Sequence, residues 1–315
     1  MDFLSLLAAV APVFLIIGAG YGIRRVGWLT AESDASLLRV VVNLLFPCLI
    51  LDTILGNAAL RQTGNLLLAP AAGFGTVVIG FAVAWLAAPL FGLRDEKARR
   101  TFAFTTGLYN YGYIPLPLIQ KLFDQQTTAV LFIHNVGVEI ALWSVGLLLI
   151  SGRSLQRPLR RILNVPVLAI AVAIALDFAG GHSWLPGWVL NALHGTGAAA
   201  IPMGLILTGA TFCDHVGNVS MRGSARDSIG ACLLRLGVIP LIILAAARWL
   251  PCPLELRRVM LVQAAMPCAM IPVILAKHYG GEPAMALRII ICTTVAGLVT
   301  IPWWIQLGMR WLGAG

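Results

Sequence analysis

Residues 105–120 read T-T-G-L-Y-N-Y-G-Y-I-P-L-P-L-I-Q, an apolar stretch that carries two prolines, two glycines and an asparagine. Proline removes a backbone N–H and clashes with the preceding turn, and Gly107 and Gly112 loosen the chain around it. A second stretch, residues 264–279, reads A-A-M-P-C-A-M-I-P-V-I-L-A-K-H-Y and repeats the pattern with Pro267 and Pro272. Each predicts a helix that is broken part-way along. In hydrocarbon every unpaired backbone group costs several kcal/mol, so such a break persists only where it lines a cavity or is buried in protein.

The surrounding chain places both breaks in a membrane. Of 315 residues 59% are apolar and 11% charged, against roughly a quarter charged in soluble domains. That composition excludes a soluble fold, a disordered chain and a nucleic-acid binder, despite a net charge of +9. A membrane helix needs about 20 mostly apolar residues. Ten stretches qualify: about 3–23, 37–55, 66–90, 101–120, 128–150, 162–179, 189–212, 228–250, 259–278 and 286–309. They make this an all-α membrane protein and leave no room for a soluble domain; a β-barrel would instead alternate over about ten residues. The first basic pair, Arg24-Arg25, follows the first apolar run, which predicts a retained span with its N-terminus outside. Ten spans then put 14 basic residues on the cytoplasmic side, including Arg94, Arg153, Arg157, Arg160, Arg161 and Arg222, against 6 outside, including Lys121. The bias predicts both termini on the outer side of the plasma membrane. The six cysteines form no C-x-x-C pair and read as small packing residues, so neither a metal site nor a cofactor is expected.

Prolines recur at nearly constant distance. Pro12 and Pro166 lie 154 residues apart, Pro47 and Pro202 155 apart, and Pro117 and Pro272 155 apart. This predicts two copies of a five-span unit, residues 1–150 and 162–315, joined by a short linker at 151–161. Five is odd, so the second copy enters the membrane upside down. Inverted repeats with broken helices characterise many secondary transporters, whose substrate lies near the midplane between the breaks. If spans four and nine cross there, two half-helix N-termini meet, each with about half a positive charge and free N–H donors. The expected ligand is therefore a small organic anion, a carboxylate.

These residues resemble the auxin efflux carrier family, the bacterial relatives of the plant auxin exporters. The resemblance rests on Asn110, Gly112, Tyr113 and Leu116-Pro117-Leu118 in span four. It continues in Pro267, Pro272, Ala276, Lys277 and Tyr279 in span nine, and in P-V-F-L-I-I-G-A-G-Y-G-I-R-R-V-G-W-L-T at 12–30. It implies a scaffold of spans 1, 2, 6 and 7, a mobile transport domain of spans 3–5 and 8–10, and crossing at Pro117 and Pro272. It also implies elevator-type alternating access and a homodimer through spans 2 and 7. The family's usual Gly before L-P-L is Pro115 here.

Asn110, at the break, offers both donors and acceptors and is the leading substrate-binding candidate. Tyr109, Tyr111 and Tyr113 are candidates to stack on an aromatic acid, Gln263 to hydrogen-bond substrate, and Asn43 and Thr208 to face the same region from spans two and seven. Gly112, Pro115, Pro117, Pro267 and Pro272 shape the crossover. Glu139, in mid-span, is costly to bury ionised, so it is a candidate proton carrier or cation ligand, with Asn135 one turn before it. His134 is placed nearer the outer interface, where it would titrate with Glu139, and Asp52 near the outer end of span two. Arg235 either snorkels to the cytoplasmic face, pairs with a carboxylate or meets the substrate. The expectation is a carrier of carboxylates such as auxin-like acids, malate or malonate. The alternatives are a Na⁺- or H⁺-coupled symporter of bile-acid-carrier type and a non-transporting sensor or scaffold. An enzyme is not expected, because the histidines are scattered and no nucleophile cluster is present.

Overall fold

The structure, a computed structural model, describes residues 3–152, 163–216 and 225–313. Most of the 151–161 linker, with Arg153, Arg157, Arg160 and Arg161, and also Arg222, lies outside the described residues. Twelve helices of eight residues or more are distinguished among them: α1 (Phe3–Arg25), α2 (Ala31–Ile54), α3 (Thr63–Phe91), α4 (Glu96–Gly107), α5 (Pro115–Leu122), α6 (Gln125–Ser151), α7 (Val165–Phe178), α8 (Gly187–Asp214), α9 (Ala225–Trp249), α10 (Leu254–Ala265), α11 (Ile271–His278) and α12 (Pro283–Leu312). Seven of them, α1, α2, α3, α6, α8, α9 and α12, are long and apolar enough to cross a membrane. Helix α7 is shorter and apolar, and the other four are two interrupted pairs, α4/α5 and α10/α11. The described residues contain no β-strand, only one isolated bridge.

Local chemistry sets where the helices start. Asp95, Asp124 and Asn164 cap α4, α6 and α7 by accepting the amides of Ala98 at 3.0 Å, Thr127 at 2.7 Å and Val167 at 3.0 Å. Prolines shape the long spans. A widened π turn, residues 41–45, precedes Pro47 in α2, and another, 234–238, precedes Pro240 in α9. Proline at 240 cannot bond to the carbonyl four residues back, and that group, Leu236 O, instead accepts the indole N–H of Trp304 at 2.6 Å. Pro47 and Pro202 thus both follow an irregularity in their span, the second being a turn at Ala199 in α8. Pro12 and Pro166 do not correspond: Pro12 lies inside α1, whereas Pro166 falls in the first turn of α7.

Two close helix crossings organise the packing. Helix α1 lies on α8, where a methyl group added at Gly20 or Gly209 would overlap the carbonyl of Ile206 or Ile17. Helix α3 lies on α6, with Gly73 and Gly137 against the carbonyls of His134 and Pro70. Small residues let membrane helices approach this closely. Helix α2 packs on α7 and α8, while α10 packs on α6, α9 and α12. Arg24 at the end of α1 is buried, donates to Leu29 O, and forms ion pairs with Asp34 in α2 and Asp214 in α8. Trp184, Trp188 and Trp249 are exposed near helix ends.

Candidate functional site

Helix α4 stops at Gly107, residues 108–114 run without regular helix, and α5 starts at Pro115. Helix α10 stops at Ala265, and α11 starts at Ile271. Each second half is eight residues long, with a proline in its first turn. Proline suits that position, because the first N–H groups of a helix have no partner within it. Pro115, Pro117 and Pro272 therefore begin the second halves and do not mark the breaks themselves. The unwound segments are 108–114, which includes Gly112, and 266–270, which includes Pro267.

The two breaks meet. Tyr109 and Cys268 form an antiparallel bridge. The amide of Asn110 donates to Pro267 O at 2.8 Å, and that of Ala269 to Leu108 O at 2.9 Å. Extended backbone from each break thus satisfies the other, which is how unwound chain is tolerated among apolar helices. The half-helices α5 and α11 begin from either side of this pairing and turn their positive ends toward it, but α5 has no free first-turn donor: Pro115 and Pro117 carry no N–H, and Leu116 donates to Gly112 O at 3.1 Å.

Asn110 is buried, and its Oδ1 accepts the amides of Gly112 at 3.3 Å and Ile114 at 3.4 Å, holding the loop that enters α5. Its Nδ2 has no hydrogen bond among the described residues. Asn135 Nδ2 donates to Tyr111 O at 2.7 Å, and Gln263 Nε2 reaches the same carbonyl at 3.4 Å and Asn135 Oδ1 at 3.3 Å. The structure therefore links Asn135, Gln263 and the first break in one network, to which His134 adds Nδ1 at 3.4 Å from Asn135 Oδ1. His134 is fully buried in protein, covered by α3 and the Tyr109 ring. Its Nε2 and Gln263 Oε1 have no hydrogen-bond partner among the described residues.

Tyr109 is fully buried and its hydroxyl is tied to Thr76 at 2.8 Å, so it has no free face for an incoming ring. Tyr111 donates its hydroxyl to Glu139 at 2.8 Å. Tyr113 reaches across to α2 and α8, edge-on to Phe46 with centroids 5.7 Å apart and against Gly204, where any Cβ would collide with the ring. Glu139 also accepts from Trp143 Nε1 at 2.7 Å and Asn164 Nδ2 at 2.9 Å, so three donors surround its carboxylate. Arg235 departs from two of its expected roles. It is 0% exposed, which rules out snorkelling, and it pairs with no carboxylate among the described residues. Its Nη2 donates to Ala264 O at 3.1 Å, at the C-terminal end of α10, and its guanidinium carbon lies 5.2 Å from the Tyr109 ring centre.

Three candidates stay apart from this cluster. Asn43 is exposed in the π turn of α2, and Thr208 is buried with its hydroxyl on Gly204 O at 2.8 Å. Asp52 pairs with His194 at 3.0 Å and borders two adjoining cavities of about 510 and 380 Å³. These lie beyond the C-terminal end of α5, between α2 and α8 on one side and α5 and α6 on the other, lined by Thr53, Gln125, Asp124 and His182 among others.

Thr76, Cys268, Trp143, Asn164 and Ala264 are contributors that the sequence did not single out. Asn164 carried a legible signal, an asparagine before V-P at a helix start, but only as a cap. Cys268 carried none, since its part is played by backbone.

A family model described as "Membrane transport protein" matches residues 5–162 and 154–305. The chain is 28% identical to a protein of Methanothermobacter thermautotrophicus named as an uncharacterized transporter, covering 96% of this chain and 99% of the relative. It is 23% identical to another uncharacterized transporter, from Methanocaldococcus jannaschii, covering 94% and 96%.

Proposed function

This chain belongs to the membrane transport protein family of the auxin efflux carriers, and on that premise we propose that it is a secondary carrier of small organic anions. The carboxylate binds at the crossover, held by Asn110 Nδ2 in the field of the positive ends of α5 and α11. One observation carries the reading: the two breaks pair backbone to backbone, which brings two positive half-helix ends to one place. Counting α4/α5 and α10/α11 as one crossing each gives ten, as two inverted five-helix repeats. In this reading α3–α6 and α9–α12 slide as an elevator against a scaffold of α1, α2, α7 and α8. The carrier works as a homodimer through α2 and α8, in the plasma membrane with both termini outside.

Proteoliposomes given a panel of labelled carboxylates test this. Saturable uptake of at least one is expected, and Asn110→Ala should lower its apparent affinity roughly tenfold or more, the worth of a hydrogen bond to a charge. Unchanged saturable flux in that variant would remove Asn110 from the site.

A cation-coupled symporter is less well supported. Glu139 is surrounded by three donors, and the break carbonyls of Leu108, Tyr111 and Pro267 already accept protein N–H groups. Little acceptor capacity is left there for Na⁺. Flux that is indifferent to Na⁺ and proton gradients is the expected result.

A further inference from the structure

Arg235 is the feature that carrier action alone does not explain. It is fully buried, and its Nε and Nη1 have no hydrogen-bond partner among the described residues. No carboxylate faces it among the described residues: its neighbours are the Tyr109 ring, Ala264 O and Cys268. Among the described residues the arginine–carboxylate pairs are made by Arg24, Arg100, Arg258 and Arg288, and Arg235 is in none of them. A buried guanidinium is ordinarily matched by a carboxylate, because an unmatched charge in a low-dielectric interior is costly. The fold takes trouble to place this one. It stands in the π turn that precedes Pro240, beside both residues of the Tyr109–Cys268 bridge, and it caps the carbonyl end of α10.

Resting on the anion-carrier reading, we infer that Arg235 is the fixed counter-charge of the bound ligand, and that the carrier takes its substrate as a monoanion. Two N-terminal and two C-terminal helix ends meet at the crossing and their opposite half-charges cancel, so Arg235 is the net charge beside it: one negative charge neutralises it, a dianion leaves an excess of one, and a neutral compound leaves the guanidinium unmatched. The substrate class is thus a monocarboxylate, or a dicarboxylate in its singly protonated form. Arg235 acts through the field beneath the paired breaks, where weak screening lets charge act beyond contact, and Asn110 Nδ2 supplies the direct bond.

A ligand series of one shape and three charges tests this. Malonate, malonamate and malonamide carry two, one and no negative charges at neutral pH, and indole-3-acetate with indole-3-acetamide gives a second, larger pair. Protection of the purified protein against heat unfolding is read at each ligand concentration. In the wild type and Arg235→Lys, the singly charged member of each set should bind roughly tenfold or more tighter than the others. In Arg235→Gln the optimum should move by one charge, to the amides. Should Arg235→Gln fail to fold, the wild type and Arg235→Lys still decide. An optimum at two charges, or none between malonate and malonamate, overturns the inference and leaves the anion reading standing. Protection by no carboxylate of either set overturns both.

Discussion

Asp124 does two things at the start of α6. It caps the helix through the amide and hydroxyl of Thr127, at 2.7 and 2.8 Å, and it holds Arg258 of α10 at 2.9 Å. Burial alone would raise its pKa, but the Thr127 bonds and the Arg258 guanidinium outweigh that and hold the carboxyl below its usual range. A carboxyl depressed by folding stabilises the fold above its unfolded pKa, about 3.9, and that contribution is lost as pH falls through the lower folded value. Asp124→Asn keeps a capping oxygen and loses the charge. Its thermal stability should therefore fall slightly at neutral pH and lose part of the wild type's decline below about pH 4; an unaltered acid limb would show the pair to be idle. Single residues were the least legible level in the sequence. Residue type marked Asn110 and Glu139 as worth attention, but not that Glu139 is enclosed by Tyr111, Trp143 and Asn164, since those partners come from three different elements. Arg235 misled for a similar reason. Its distance from the end of the span suggested snorkelling, whereas the packing of α10 and the Tyr109 ring closes that route.

At the level of elements, the punctuation of the chain was legible and its phase was not. Clustered Gly and Pro correctly marked interruptions in residues 105–120 and 264–279. They did not show on which side of each proline the interruption falls, because proline both ends a helix and favours the first turn of the next. The unwound segment accordingly lies before Pro115, where Asn110 can fold its side chain onto the amides of Gly112 and Ile114. The helix crossings were legible only as a supply of glycines. Which glycine meets which backbone is a matter of tertiary register: Gly137 lies against Pro70 O, while Gly112 has open space around it. Gly137→Ala should cost about 1–3 kcal/mol by overpacking, seen as a lower melting temperature of the detergent-solubilised protein. Gly112→Ala should melt within error of wild type. Equal melting of the two variants would mean that α3 and α6 do not meet as closely as described.

For the whole molecule, composition and span lengths were enough for an all-helical membrane protein, and seven long apolar helices stand among the described residues. Pairing between distant segments was not, because no local rule couples Leu108 to Ala269 across 161 residues. Of the prolines at constant offset, Pro117 and Pro272 both fall in the first turn of a second half-helix, whereas Pro12 lies inside α1 and Pro166 in the first turn of α7. The matching half-helices do give a test of the inverted arrangement. Lys121 and Lys277 stand one residue before the ends of α5 and α11. If the halves run in opposite directions from the crossover, Lys121→Cys in a cysteine-free background reacts with an impermeant thiol reagent from outside the cell. Lys277→Cys then reacts only in inverted vesicles. Labelling of both from one side would refute the inverted repeat.

The Tyr113 ring belongs to the crossing loop, yet it is seated in the hollow that Gly204 leaves on α8. Ala200 and Thr208 stand one turn to either side on the same face, about 6 Å away along the axis, and neither carries more than a small side chain. Both are already buried, so Gly204 is the place on this face where the ring is seated. Any travel of the crossing loop along α8 begins with an aromatic ring lifting out of its slot, so the depth of that slot governs how readily the stroke starts.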